Sequence, residues 1–386
     1  MYQPSWMTPE LETLRDSVRR FCETELLPNE ERWSQQQQVD PSAWRKAGEA
    51  GLLCAGISEE YGGGGGGFLH EVIILSEPIR MMCGGLGNGV HSGLVSHYIE
   101  NFASEAQKRA WLPKMATGEL IAALAMTEPG TGSDLQAIRT SAVKDGDDYV
   151  INGSKTYITN GATANLICLV LKTDPTKGGK GLSIIVVETD KVEKGFRRGR
   201  ILNKVGMHSQ DTSELFFDDM RVPRANLLGA EEGQGFIQLM KELTRERLVT
   251  AICAHASMER AIEETLQFTA QRQVFGQSLL SMQNTRFKLA ECETKSALAG
   301  AFIDQCLQKL LAGQLDTATA AMAKWWVTEV CGQVVDECLQ LHGGAGYMLE
   351  YPIGRLYQDV RITRILAGTN EIMKELIARD MEKRVR

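Results

Sequence analysis

Apolar residues recur at helical spacing near both ends of this chain and collapse into short, dense runs in its middle. From about residue 8 to 118 the helical period dominates. Leu11, Leu14, Val18 and Phe21 stand three and four apart with charges between them, which predicts an amphipathic helix. Thr8-Pro9-Glu10 opens it with a capping residue and a first-turn proline. Asp40-Pro41 opens a second helix, and residues 70–82 and 104–117 supply two more. Between them, Tyr61 to Phe68 encloses six glycines that formally fit GxGxxG. Residues 51–60 do not read as the strand a dinucleotide fingerprint requires, so a mobile surface loop is expected instead.

Near residue 120 the texture changes. Residues 120–126, 148–151, 166–171, 182–187 and 213–217 are short β-type runs, separated by turn pairs such as Asp145-Gly146, Asn152-Gly153 and Asn160-Gly161. No helical pattern lies between them, so a small antiparallel barrel or sandwich is expected, ending near residues 223–229. From Gly233 the helical period returns. Residues 246–271, 285–311, 317–341 and 371–384, joined by short loops, predict an antiparallel four-helix bundle. The fold class is thus α+β multidomain. The expected domains are 1–120 (helical), 121–230 (β) and 231–386 (helical bundle), with no internal repeat.

Composition narrows the function. The chain has 386 residues, 43% hydrophobic and 24% charged, with a net charge of −7. That balance argues against nucleic acid as the main ligand. No eighteen-residue apolar run is present, so no membrane span is expected. The first residues form neither a signal core nor a transit pattern, which places the chain in the cytoplasm or marks a mature organellar matrix form whose leader has been removed. The nine cysteines are odd in number and form no CxxC pair, as in a reducing compartment. Six histidines lie without ligand spacing, and no metal site is expected.

The chemistry lies in five stretches. Leu124-Ala-Met-Thr-Glu-Pro-Gly-Thr-Gly-Ser-Asp134 follows an apolar strand with small residues and exposed backbone N–H groups. Asn152-Gly-Ser-Lys-Thr-Tyr-Ile-Thr-Asn-Gly161 sets an aromatic and two hydroxyls beside a turn. Gln271-Arg-Gln-Val-Phe-Gly-Gln277 comes later, with Gln283 beyond it. Leu341-His-Gly-Gly-Ala-Gly-Tyr347 and Gly368-Thr-Asn-Glu371 close the series, the last at a helix start that suits an anionic or carbonyl ligand. In this order and at these separations they resemble the acyl-CoA dehydrogenase family over essentially the whole chain. Gln210-Asp211-Thr212 and the segment 368–379 are most similar to its long-chain branch.

The resemblance implies an FAD enzyme that removes two hydrogens across Cα–Cβ of an acyl-CoA thioester. It implies that Leu124, Ala125, Met126 and Thr127, with Gly132 and Ser133, line the flavin, and that Tyr157, Ile158 and Thr159 flank its other side. It assigns cofactor contacts to Thr369, Asn370 and Glu371. Phe275 is implied as a further cofactor contact, while Arg272 and Gln283 would serve the FAD of a neighbouring subunit, as would Gln340, Leu341, His342, Gly343 and Gly344. The implied assembly is a homotetramer, a dimer of dimers, with an electron-transfer flavoprotein as acceptor. Ser133, Thr244, Arg247, Ala367 and Gly368 match positions near the substrate.

One position departs from the family pattern. Most members carry glutamate immediately before the Gly-Thr of the last motif, and here that residue is Ala367. A minority branch holds its base in a Glu-Arg-Leu segment opening the long helix. Arg245-Glu246-Arg247-Leu248 matches it and makes Glu246 the expected base. Taken alone, a first-turn glutamate complementing the helix dipole is the commoner role for such a residue. The runner-up substrate is a 3-methyl-branched or isoprenoid acyl-CoA of the isovaleryl or citronellyl type. Oxidase and nitroalkane-oxidase-like chemistry, and a non-catalytic, DNA-associated flavoprotein of the same fold, rank below it. The acidic balance speaks against the last.

Overall fold

The computed structural model describes residues 4–385. Residues 1–3 and 386, the outer limits of the expected first and third domains, lie outside the described residues. The first layer is helical: α1 (Pro9–Phe21), α2 (Glu30–Gln36), α3 (Pro41–Glu49), α4 (Phe68–Arg80), the short α5 (Asn88–Val90), α6 (Ser96–Phe102) and α7 (Glu105–Ala116). Thr8 caps α1 by accepting from the Leu11 amide. Ser104 and Gln107 close a capping box at α7. A π turn, His91–Val95, runs directly into α6.

The glycine run is not a free loop. The amides of Gly63, Gly64, Gly65 and Gly66 donate to the carbonyls of Ser58, Cys54, Ile57 and Ala55, folding the segment flat against residues 54–58. A Cβ on Gly63 would lie 2.3 Å from the Ile57 carbonyl oxygen. Backbone cannot give way as a side-chain tip can. Gly63→Ala is therefore expected to cost about 1–3 kcal/mol, read as a lower denaturation midpoint.

Seven strands follow: β1 (Ala122–Ala125), β2 (Ser141–Asp145), β3 (Asp148–Thr159), β4 (Leu166–Lys172), β5 (Leu182–Glu188), β6 (Phe196–Ile201) and β7 (Thr212–Pro223). Most pairs are antiparallel: β2 with β3, β3 with β7, β7 with β6, and β4 with β5. The expectation of a wholly antiparallel sheet needs one correction. β1 runs parallel to β4, Ala122 opposite Leu166, and β2 meets β4 in parallel at Ser141 and Lys172. The link from β1 to β4 passes through a single 3-10 turn (Leu135–Ala137) and the β2–β3 hairpin, so a parallel pair arises without an α-helix between its strands. Both faces of β4 are covered, which explains its unbroken apolar run. Leu166, Cys168 and Val170 face the helices with Tyr98 and Trp111, while Ile167, Leu169 and Leu171 face the interior of the sheet with Leu215 and Phe217.

The third layer is built on α8 (Gly235–Gln271), followed by the small hairpin β8 (Gln273–Val274) and β9 (Gln277–Ser278). Then come α9 (Gln283–Leu311), α10 (Thr317–His342), α11 (Pro352–Val360) and α12 (Asn370–Lys383). Leu248, Ala251, Met258, Ile303, Val327, Val334 and Cys338 form its shared core. Among the described residues no helix is long and apolar enough to cross a membrane.

Candidate active site

The exit from β1 is locked by a buried ion pair. Lys155 of β3 is wholly buried, and its Nζ donates to Glu128 Oε1 at 2.9 Å and to the Met126 carbonyl at 2.8 Å. The Glu128 carboxylate also accepts from the amides of Arg139 (2.7 Å) and Thr140 (2.9 Å). Burial pushes the Lys155 pKa down to about 8. Burial pushes the Glu128 carboxyl upward, but Lys155 and the backbone donors outweigh it and hold the group below its usual range. With this clamp set, the Thr156 amide reaches the Thr127 carbonyl at 3.0 Å. Tyr157 comes next, at φ 60° and 68% exposed, its ring presented rather than buried. The clamp thus brings Leu124–Thr127 and Tyr157–Thr159 side by side. Ala125 and Ile158 turn their side chains into the sheet core, so only their backbones face outward.

Glu246 does not open its helix. α8 begins at Gly235, about three turns earlier. That placement removes the helix-dipole account of this residue, since the effect fades within the first turn. Its side chain is buried, and the Tyr98 hydroxyl of α6 donates to Oε1 at 3.0 Å. Burial pushes the Glu246 pKa up to about 7; Tyr98 opposes that, and Glu242 adds to it. One residue back, Arg245 pairs with the buried Glu71 of α4 and donates to the Gly93 carbonyl at 2.5 Å. His97 joins the same cluster, 2.5 Å from Glu71. Arg247 is also buried, and its Nε has no hydrogen-bond partner among the described residues.

The last motif meets α8 over a second buried lysine. Ala367 (φ 54°) and Gly368 (φ 87°) make two successive left-handed residues, a conformation that costs alanine roughly 1–2 kcal/mol. Lys324 of α10, wholly buried, donates to the Gly368 carbonyl at 2.7 Å and to Asn370 Oδ1 at 3.0 Å. Burial pushes its pKa down to about 8, and Arg247 acts in the same direction. Asn370 therefore faces the bundle, and a cofactor contact there falls to its backbone. Thr369 caps α12, and Glu371 is exposed in its first turn. Lys324 thus ties the Gly368 turn to α10, with Arg247 of α8 close enough to act on its charge. Tyr98 links Glu246 to the cluster that holds Cys168 and the half-buried Leu124 and Met126. Thr244 lies half-buried on α8 nearby, and Gly132 and Ser133 are exposed beyond β1.

The remaining expected residues lie elsewhere. Arg272, which ends α8, is 26 residues from Glu246, about 39 Å along the helix. Phe275, 97% exposed, and Gln283 are beside it in sequence. His342 stacks on Phe268 at 4.2 Å, tying Gln340–Gly344 to that same end. The expected residues thus fall into two groups, about 39 Å apart along α8.

The open surfaces suit a flavin dinucleotide. A Cβ at Gly130, Gly343 or Gly344 would meet nothing within 4 Å, and at Gly132 only Thr127 at 3.9 Å. Backbone lies bare at these four positions, two of them after β1 and two at the end of α10. Pattern reading missed Tyr98, Glu71, Lys155 and Lys324. A lone lysine inside the apolar run of α10 was the one legible signal, because such a residue is buried only with partners. Nothing in its spacing marks Tyr98.

Comparison with known proteins follows the same division. Three family models match: acyl-CoA dehydrogenase, N-terminal domain over residues 8–119, middle domain over 123–220 and C-terminal domain over 233–382. The mitochondrial long-chain specific acyl-CoA dehydrogenase of Sus scrofa is 45% identical over 374 residues, covering 96% of this chain and 86% of that protein. The crystal structure of an acyl-CoA dehydrogenase from Geobacillus kaustophilus superposes with a TM-score of 0.95 at 46% identity, covering 98% of this chain and 100% of the other. A glutaryl-CoA dehydrogenase from Mycobacterium smegmatis in complex with FADH2 superposes at 0.90 with 26% identity, covering 97% and 95%.

Proposed function

The chain belongs to the acyl-CoA dehydrogenase family, and from that premise we propose that it oxidises a medium- or long-chain acyl-CoA to the trans-2-enoyl thioester with Glu246 as its base. It is an FAD-dependent oxidoreductase acting on a CH–CH bond. Bound FAD supplies the acceptor for the β hydride. The observation that carries the reading is a buried carboxylate at 246 with a pKa near 7, in a chain whose residue 367 is alanine. A base with its pKa near working pH combines ionisation with driving force. Glu246 takes the α proton. The Ala367 N–H stabilises the thioester oxygen as enolate charge develops. Lys324 holds that turn through the Gly368 carbonyl. Leu124–Thr127, Tyr157 and Thr159 would hold the flavin, and Ser133 and Arg247 would bind the CoA end.

Arg272, Gln283 and residues 340–344 serve the cofactor of a second copy in this reading. The 39 Å separation supports a dimer in which each site uses both chains, with two dimers forming the tetramer. We propose the division at residues 120 and 230 for the three domains, and an electron-transfer flavoprotein as acceptor. All nine cysteines are free, which supports a reducing compartment, the cytoplasm or an organelle matrix. The likeness to the long-chain enzyme favours straight substrates over branched ones. Anaerobic bleaching of the visible flavin band tests this, with acyl-CoAs from butyryl to palmitoyl plus isovaleryl- and citronellyl-CoA. Fast bleaching by long straight chains is expected. Selective bleaching by the branched thioesters would move the substrate class, and none by any would remove the activity.

A further inference from the structure

The base is carried by one layer of the protein and oriented by another. Glu246 stands on α8, in the C-terminal helices, but its hydrogen-bond donor stands on α6, in the N-terminal ones. Tyr98 has no freedom to wander. Its ring is 0% exposed, inside the core cluster that also holds Trp111, Cys168 and Leu239. Phe102 lies 6.2 Å away, ring to ring. The phenol oxygen is therefore fixed by the core, and the carboxylate must come to it. It takes Oε1 and leaves Oε2 without a side-chain donor among the described residues.

We propose that Tyr98 is a positioning residue for the dehydrogenation, which turns Oε2 of Glu246 toward the substrate and stabilises the carboxylate as an anion. This rests on Glu246 being the base. The hydrogen bond costs the base some intrinsic strength, but it raises the fraction that is ionised. At neutral pH the second effect dominates, because burial has already moved the carboxyl to the edge of protonation.

The other charges around the pair set the background. On α8 these are Glu242, Arg245 and Arg247. Glu242 is a like charge one turn away, whose Oε1 is occupied by Asn101 at 2.9 Å. Arg245 is engaged by Glu71 of α4 and by His97 of α6. Arg247 lies close enough to Lys324 of α10 for the two positive charges to repel. Cys168 of β4 lies against Tyr98 as a buried thiol. Arg245 and Arg247 both favour the Glu246 anion through space, but among the described residues the phenol is the side chain that hydrogen-bonds to it.

The test is the pH dependence of kcat/KM for FAD-loaded Tyr98→Phe, with the acyl-CoA that bleaches the parent best. The acidic limb is expected to rise by about one pH unit, the shift due to one charge-assisted hydrogen bond. The rate would fall several-fold at pH 7 and recover substantially above pH 9. A merely structural role would lower the rate by one factor at every pH and leave the limb in place, and that result overturns the proposal. Difference-infrared titration of the Glu246 carboxyl band, assigned by its loss in Glu246→Gln, must show the same shift without turnover. Should the phenylalanine variant fail to fold, a ring-fluorinated tyrosine at position 98 keeps the shape and strengthens the donor. It must move the limb downward. If Glu246→Gln keeps full activity, the base assignment fails. If that variant is inactive while the limb stays fixed in Tyr98→Phe, the role of Tyr98 alone fails.

Discussion

Glu246→Gln is expected to bind FAD and acyl-CoA normally and to lose about 10²–10⁴ of its turnover, the usual contribution of a positioned general base. The amide is nearly isosteric, and its oxygen can still accept from Tyr98, so the buried network around α6 and α8 survives. What it cannot do is take a proton. The parent enzyme gives a second signature. The proposed base, Glu246, is protonated below its folded pKa of about 7, where it would be idle, and ionised above it. The activity profile should therefore fall about tenfold per pH unit on the acidic side, with its midpoint near neutrality, and the glutamine variant should lose that limb. Steady-state turnover, flavin content and acyl-CoA affinity measured together decide it. Full turnover in the variant would mean that the proton leaves by another route.

The second large effect concerns stability and cofactor retention. Lys155→Met leaves Glu128 buried and charged against its two amide donors. Removing one partner of such a pair costs about 3–5 kcal/mol. That is a large share of the roughly 5–15 kcal/mol that stabilises an ordinary fold. The loss should appear as a lower denaturation midpoint and as protein purified with less than stoichiometric FAD, because the same lysine fixes the Met126 carbonyl beside Tyr157. The double variant Lys155→Met with Glu128→Gln should recover much of the midpoint, since the uncompensated charge is gone. A single variant as stable and as yellow as the parent would show that the clamp is dispensable.

How much of this was written in the pattern varies with the range of the interaction. Thr8-Pro9-Glu10 announces its helix because a cap acts within one turn, and Asp40-Pro41 does so through the first-turn proline alone, since the Asp40 side chain makes no cap hydrogen bond. Leu166 to Leu171 announces a strand covered on both faces because burial leaves no polar alternation. The parallel register of β1 and β4 is not legible, since nothing local distinguishes it from an antiparallel one. The start of α8 was placed late because Gly233, Gln234 and Gly235 resemble a breaker, whereas packing carries the helix through. At the site, Glu246 was legible only by likeness, together with the missing glutamate at 367. Its partner Tyr98 lies 148 residues away. Contacts of that span are set by tertiary packing and leave no trace in local spacing.

The length of α8 also has a consequence for inheritance. Because Glu246 and Arg272 are about 39 Å apart along one rod, in the dimer proposed above a chain defective at the first and a chain defective at the second spoil different halves of the machine. When two such chains pair, one site receives both defects and the other receives none. With random pairing half of the dimers are mixed, so two alleles that are each inactive alone would together give roughly a quarter of the activity of two sound ones, and a cell carrying both would be healthier than a cell homozygous for either.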